Sequence, residues 1–64
     1  MRYKVSALFW GYNKPTHFTA KNKTETDLII KDLMNDYAVC VIEYAKLHKD
    51  NTIGEYKTVF EEVL

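Results

Sequence analysis

Apolar and polar residues alternate over the first segment of the chain, residues 2–10. Tyr3 and Val5 lie on the same side of this alternation, whose period of two is that of a half-buried strand. Turn-forming residues follow over 11–15, and a second, shorter alternation covers 16–21. These segments predict a β-hairpin with a loop of about five residues.

The next segment predicts an α-helix. Thr24 is a residue type that caps helices, and Asp27, three residues later, completes a weak capping box. We expect the helix to end at Asn35 or Asp36. Leu28 falls opposite the apolar stripe of this helix and is expected to be exposed. The stripe itself consists of Ile29, Ile30, Leu33, Met34 and Tyr37.

Residues 37–48 are apolar on both sides of the alternation, which is typical of a strand at the centre of a sheet. Val39 and Val41 are expected on one side of this strand. The other side is expected to carry Ala38, Cys40, Ile42 and Tyr44. A polar turn follows, and residues 55–60 predict a fourth strand. Whether residues 57–64 are strand or helix stays open, because the last four residues can extend the strand, start a short helical turn or fray.

The pattern therefore predicts a single α+β domain over residues 1–64, with the element order ββαββ. We expect an antiparallel four-stranded sheet in the order 2-1-3-4, with the helix packed on one face. This order makes all neighbouring strands antiparallel and allows a right-handed connection. One helix leaves the other sheet face uncovered, and which side of the strands that is stays open. The apolar residues expected to contribute to it come from Leu8, Trp10, Ala38, Cys40, Ile42 and Tyr44.

Composition limits the class of protein. The chain has 64 residues, with nine basic and nine acidic side chains, two histidines and one cysteine. A single cysteine excludes an intrachain disulfide, and the ordinary apolar content argues against a disordered chain. A domain of this size buries only about 60% of the surface that its unfolded chain exposes. Self-association, as a dimer, or binding to a partner is therefore expected.

The same features predict a cytoplasmic protein without membrane attachment. The lone Cys40 fits a reducing compartment. A transmembrane helix needs about 18 consecutive apolar residues, and no stretch approaches that length. The apolar run that ends at Trp10 is too short for a signal peptide.

Residue types that carry out catalysis or bind metals form no recognisable constellation. Cys40 falls within an apolar strand, where the thiolate is disfavoured. His17 and His48 fall in different predicted strands, without cysteine or histidine at ligand spacing. We therefore expect no enzyme, no metal site and no cofactor. The remaining enzymatic alternative is a site completed by symmetry, which would need His17 or His48 beside a carboxylate in an interface cleft.

Charge is divided between two parts of the chain. Residues 1–24 contain five basic residues and no acidic one, whereas residues 25–64 contain four lysines and nine acidic residues. The basic part is also rich in aromatic residues, and such a mixture is typical of surfaces that bind single-stranded nucleic acid. Zero net charge argues against strong non-specific binding. The residues expected to bind under this alternative are Arg2, Lys4, Lys14, Lys21 and Lys23.

Our preferred hypothesis is a small, non-enzymatic protein-interaction module, an adaptor or inhibitor that docks on a larger protein. Trp10 and Tyr12 flank Gly11 where a strand ends, and large aromatic residues are enriched at interface hot spots. We expect self-association through the uncovered sheet face or an edge strand. Compact chains without motifs are common among phage-encoded proteins that modify host machinery, which is one possible setting. The candidate contact residues are Leu8, Trp10, Tyr12, Leu28, Ile42 and Tyr44.

Overall fold

Four strands and one helix make up the structure, a computed structural model that describes residues 1–62. The elements are β1 (Arg2–Phe9), β2 (Thr16–Ala20), α1 (Lys23–Leu33), β3 (Val39–Leu47) and β4 (Lys57–Glu61). The strands form one sheet in the order β2-β1-β3-β4, and each neighbouring pair is antiparallel. The predicted α+β class, the element order and the strand order are confirmed.

The last strand begins at Lys57 and ends at Glu61. The backbone N–H of Glu62 then donates to the carbonyl oxygen of Cys40 at 2.8 Å, so pairing with β3 continues one residue further. Of the possibilities for the end of the chain, the strand is therefore correct as far as Glu61, and its hydrogen bonding to β3 continues to Glu62. Residues 63–64, on which the rest of that prediction falls, lie outside the described residues.

β3 contains one more residue than the part of β1 beside it. Two consecutive residues of β1 pair with Val41 and Val39, so Cys40 between them is the extra residue of a β-bulge. The bulge reverses the alternation along β3 and places Val39 on the same side as Ile42, in one buried cluster. The prediction that Val39 and Val41 share a side is therefore wrong.

The core lies between α1 and one face of the sheet. α1 contacts β1, β2 and β3, and within the described residues it does not contact β4. Val5 pairs with Phe18 on one side and with Tyr44 on the other, which identifies the strand faces that point toward the helix. Ile42 and Tyr44 therefore lie on the helix side of the sheet. The buried cluster comprises Val5, Ala7, Val39 and Ile42, with Ile29, Ile30 and Leu33 of α1 packed against it.

The helix begins earlier than the predicted cap at Thr24 indicates. Its N-cap is Asn22, whose Oδ1 accepts from the backbone N–H of Glu25 at 2.8 Å. The Glu25 carboxylate in turn accepts from the backbone N–H of Lys21 at 3.4 Å. The prediction that Thr24 caps the helix is wrong, because Thr24 lies inside the first turn. Asparagine caps as well as threonine does, and Glu25 follows Asn22 at the spacing of a capping box.

The helix also ends earlier than predicted. Its last residue is Leu33, and the N–H of the C-cap residue Met34 donates to the carbonyl oxygen of Ile30 at 3.0 Å. Met34 and Tyr37 therefore do not join the buried stripe, and their side chains are 53% and 100% exposed. The prediction that the helix reaches Asn35 or Asp36 is wrong.

One buried position of α1 is polar. Thr26 is completely buried, and its hydroxyl donates to the carbonyl oxygen of Asn22 at 2.9 Å, so burial leaves the hydroxyl with a partner. Its small size lets the first turn of the helix approach the sheet. On the opposite side of the helix, Leu28 is 64% exposed, as predicted.

The two candidate caps can be separated by mutation. Asn22→Ala removes the acceptor for the Glu25 N–H and is expected to lower the free energy of unfolding by about 1 kcal/mol. Thr24→Ala is the matched control and should change it by less than about 0.5 kcal/mol, because alanine is a better helix former than threonine. Urea unfolding of both variants measures the difference. A larger loss for Thr24→Ala than for Asn22→Ala would contradict the observed cap.

Candidate functional site

The antiparallel topology gathers most basic side chains at one end of the sheet. The start of β1, the ends of β2 and β3, the start of β4 and the start of α1 all lie there. Seven of the nine basic residues belong to this end, against four acidic residues. We call it the basic end, and its basic residues are Arg2, Lys4, Lys21, Lys23, Lys46, Lys49 and Lys57.

The opposite end of the sheet is acidic and carries large exposed side chains. The β1–β2 loop, the C-terminus of α1 and the end of β4 meet there. Lys14 and Lys31 are its basic residues. We call it the acidic end, and its carboxylates are Asp32, Asp36, Glu61 and Glu62.

The distribution of charge in the folded protein therefore differs from its distribution along the sequence. Lys14, from the basic first part of the sequence, lies at the acidic end, whereas Lys46 and Lys57, from the acidic part, lie at the basic end. The helix runs from the basic end to the acidic end. Its macrodipole, positive at the N-terminus, thus adds to the charge separation between the two ends.

The residues predicted to bind nucleic acid are not on one surface. Arg2, Lys4, Lys21 and Lys23 lie at the basic end, but Lys14 lies at the other. Among the aromatic residues of the first hairpin, only Tyr3 lies at the basic end. The hairpin therefore does not present basic and aromatic side chains in alternation along one face.

Three of those basic side chains have partners within the protein. Arg2 donates to the carbonyl oxygen of His48 at 3.4 Å and to Oδ1 of Asn51 at 3.3 Å. Lys21 lies 3.9 Å from the Glu25 carboxylate, and Lys23 donates to Asp27 at 2.8 Å. The hydrogen bond to Asp27 raises the pKa of Lys23, although desolvation opposes this effect.

The residues predicted to contact a partner protein are also separated. Trp10 and Tyr12 lie at the acidic end, and Leu28 lies on the outer side of α1. Leu8 is half-buried on the sheet face away from the helix. Tyr44 is half-buried on the helix side, and Ile42 is 0% exposed, so Ile42 is not available to a partner in this fold.

Trp10 and Tyr12 are fixed to the sheet on either side of a tight turn. The Trp10 N–H donates to the carbonyl oxygen of Ala38 at 2.7 Å, and its indole Nε1 donates to Glu62 at 3.3 Å. Gly11 between them has a φ of 86°, a conformation that glycine adopts without strain. The Tyr12 ring packs edge-on against Phe9, with 6.4 Å between centroids.

A cleft opens on the helix side of the sheet at the basic end, where α1 leaves β4 uncovered. Its volume is about 470 Å³. Three lysines and one carboxylate, Glu55, border it, so it has the charge of an anion site rather than that of an acid–base pair. We call it the basic cleft, and its defining residues are Tyr3, Lys23, Tyr44, Lys46, His48 and Lys57.

Two aromatic rings line the basic cleft. The rings of Tyr3 and Tyr44 are 6.1 Å apart between centroids, and Nζ of Lys23 lies 4.9 Å from the Tyr44 centroid. Tyr3 pairs with Lys46 across β1 and β3, and Tyr44 pairs with Lys57 across β3 and β4. Each ring therefore has a lysine as its cross-strand neighbour. The sequence pattern did not reveal this cleft, because its residues come from four separate segments.

The sheet face away from the helix is polar at its centre. Ser6 pairs there with His17 on one side and with Glu43 on the other. This row separates Leu8 and Val41, near the acidic end, from Ala45 and Leu47, near the basic end. The face is therefore less apolar than the sequence pattern alone indicated, since Ile42 and Tyr44 belong to the other side.

Two further side chains have displaced pKa values. The hydroxyl and the backbone N–H of Thr52 hydrogen-bond to the Asp50 carboxylate and lower its pKa, which helps to order the β3–β4 loop. Burial raises the pKa of the Cys40 thiol, and the nearby Glu62 carboxylate raises it further.

Comparisons of the chain with protein-family models, with curated proteins and with solved structures give no match. No helix in the described part of the chain is both long enough and apolar enough to cross a membrane. Residues 1–62 also contain no group of three histidine, cysteine or acidic side chains arranged to hold a metal ion. The candidate sites consequently rest on the geometry of the two ends.

The environment of Cys40 predicts its reactivity. Its alkylation rate should rise with pH at a midpoint above that of the urea-unfolded chain, because the raised pKa postpones thiolate formation. Glu62→Gln should move the midpoint partway down, and Glu61→Gln is the matched control that should leave it unchanged. Iodoacetamide labelling across a pH series measures all three. A folded-state midpoint at or below that of the unfolded chain would show that Cys40 is not shielded.

Proposed function

We propose that the protein is a small, non-enzymatic interaction module that docks through its acidic end on a basic surface of a larger protein. The observation that supports this most strongly is the group of large exposed side chains beside the carboxylates of that end. Their exposed fractions are 47% for Trp10, 69% for Tyr12, 53% for Met34 and 100% for Tyr37. Tryptophan, tyrosine and methionine are enriched in the cores of protein interfaces.

One of these side chains, Tyr12, borders a small pocket at the acidic end. Tyr12 and Asp36 border the same pocket, together with Phe9, Thr16 and Ala38. Tyr37 lies between Asp36 and Ala38 in the chain. A pocket with aromatic edges can receive an anchoring side chain from a partner, which is how interface hot spots are usually built.

Part of this surface is already ordered in the isolated chain. The hydrogen bonds of Trp10 to Ala38 and Glu62, and the packing of Tyr12 on Phe9, restrict the two aromatic side chains before any partner arrives. Binding then loses less side-chain entropy, because groups that are ordered in advance need not be ordered by the complex.

The carboxylates around the exposed side chains indicate the chemistry of the partner. Four of them border the acidic end, opposed by Lys14 and Lys31. Complementary charge speeds association and selects the partner, so a surface rich in lysine and arginine fits best. Basic surfaces of that kind often bind nucleic acid. An inhibitor that occupies such a surface is the form of the proposal that this geometry favours.

Self-association stays a separate prediction. Contact between the basic end of one copy and the acidic end of another is favourable in charge, but head-to-tail contacts form filaments unless the rotation closes a ring. The polar row at the centre of the uncovered sheet face weakens the case for a dimer through that face. We therefore place the partner surface at the acidic end.

The proposal is tested with the double variant Tyr12→Ala/Tyr37→Ala, in which both side chains are highly exposed and their loss should leave the fold intact. The immobilised protein is used to capture a partner from lysate treated with nuclease. The purified partner is then titrated at increasing salt. We expect binding to the double variant to be at least about tenfold weaker, and salt to weaken binding of the unaltered chain.

Leu28→Ala is the matched control, because Leu28 is 64% exposed but lies on the outer side of α1. It should bind the partner like the unaltered chain. A partner that binds the double tyrosine variant normally, or that is lost on charge reversal of Lys46 and Lys57 instead, would overturn the proposal. A parallel capture from untreated lysate serves as the comparison, and recovery that is lost after nuclease treatment would favour the alternative function, binding of single-stranded nucleic acid.

A further inference from the structure

The basic cleft results from a mismatch between one helix and four strands. α1 packs over β1, β2 and β3 and does not contact β4, so the helix side of β4 stays open around Lys57 at the basic end. The N-terminus of the helix, with Lys23, borders the open strip on one side, and the β3–β4 loop borders it on the other. The cleft lies at the basic end, away from the acidic end proposed above to bind a protein. A ligand of the cleft would therefore bind at a different site from the partner protein.

Two of the three cations of the cleft, Lys46 and Lys57, are available to a ligand, whereas Lys23 is paired with Asp27. The ion pairs within the described residues are Lys21–Glu25 and Lys23–Asp27, so Lys46 and Lys57 have no carboxylate partner there. Both lysines are exposed, and the single carboxylate of the cleft is Glu55. An anionic group in this position would neutralise charge that the fold itself leaves unopposed.

The tyrosines of the cleft supply a second kind of contact. Tyr3 and Tyr44 are half-buried and lie beside these lysines on the same sheet face. Lys23 occupies a position over the Tyr44 ring, which leaves Tyr3 as the ring for stacking. Stacking of a base on an aromatic side chain contributes about 1–3 kcal/mol per base in proteins that bind nucleic acid.

We propose that the basic cleft binds a nucleotide, with its phosphate between Lys46 and Lys57 and its base against Tyr3. The cleft volume of about 470 Å³ falls within the usual range for small-molecule sites. A nucleotide combines the two features that the lining residues recognise, a negative charge and a planar ring. The ligand is either a free nucleotide or one residue of a single strand, since both present this chemistry.

The cleft can be tested by following backbone amide signals in two-dimensional NMR. The probes are adenosine monophosphate, inorganic phosphate, adenosine and a deoxyadenosine strand of about eight nucleotides. We expect the monophosphate to shift signals of residues 44–48 and 54–57, with at least about tenfold higher affinity than phosphate or adenosine alone. That difference follows because only the nucleotide makes both contacts.

Lys46→Glu/Lys57→Glu should weaken binding of the monophosphate at least tenfold, because it replaces the two cleft lysines that have no carboxylate partner among the described residues. Lys14→Glu/Lys31→Glu is the matched control, with the same charge change at the acidic end, and it should bind normally. The NMR spectra also report whether each variant is folded. A strand that binds more tightly than the monophosphate, with a steeper salt dependence, identifies single-stranded nucleic acid as the source. If the strand, at a concentration counted per nucleotide, binds with the same affinity as the monophosphate, the free nucleotide is identified as the source.

Three results would overturn this proposal. The first is a monophosphate affinity no higher than that of inorganic phosphate, which would leave the ring without a role. The second is an equal loss of binding in the Lys14→Glu/Lys31→Glu control, which would show that the net charge of the protein, and not the cleft, determines binding. The third is the absence of shifts at residues 44–48 and 54–57 at millimolar ligand. Each leaves the proposed docking of the acidic end unaffected, so the two proposals fail independently.

Discussion

The structure depends on how much of a four-stranded sheet one helix can cover. α1 has 11 residues, which gives a length of about 16 Å and a width of about 10 Å with side chains. Strands lie about 4.8 Å apart, so such a helix covers two or three of them. It covers β1, β2 and β3 here, and the uncovered start of β4 borders the basic cleft. Because the helix ends at Leu33, Met34 and Tyr37 become part of the exposed surface of the acidic end.

The antiparallel topology then turns a neutral chain into a molecule with two different ends. Residues far apart in sequence, such as Lys4, Lys23 and Lys46, meet because strands that alternate in direction bring their ends together. The net charge of zero conceals this separation. The two proposed functions use opposite ends, so one binding event need not block the other. A protein that docks on a basic surface while it holds a nucleotide is physically consistent with this arrangement.

Sequence reasoning recovered the topology and only part of the surface. Alternation identified the strands, and their order followed from antiparallel neighbours and a right-handed connection. The β-bulge at Cys40 was missed because the residues on both sides of it are apolar, so an inserted residue leaves the apolar pattern unchanged. The cap at Asn22 was missed because Asn22 and Thr24, two positions apart, are both residue types that cap helices. Trp10 and Tyr12 were predicted as contact residues from residue type and position beside a turn, and the structure leaves both side chains exposed. Ile42 was misplaced as a candidate contact because the sequence did not indicate which strand side faces the helix. The basic cleft required the register between strands, which only the structure supplied.

Folding separates charge between the two ends of the sheet rather than between the two parts of the chain. Near-surface electrostatic potentials test it most directly, from the relaxation that cationic and anionic paramagnetic cosolutes induce at each amide proton. We predict positive potentials at residues 21–23, 44–49 and 56–57, and negative potentials at residues 12–14, 32–38 and 61–62. Potentials that are positive throughout residues 1–24 and negative throughout residues 25–62 would contradict the account.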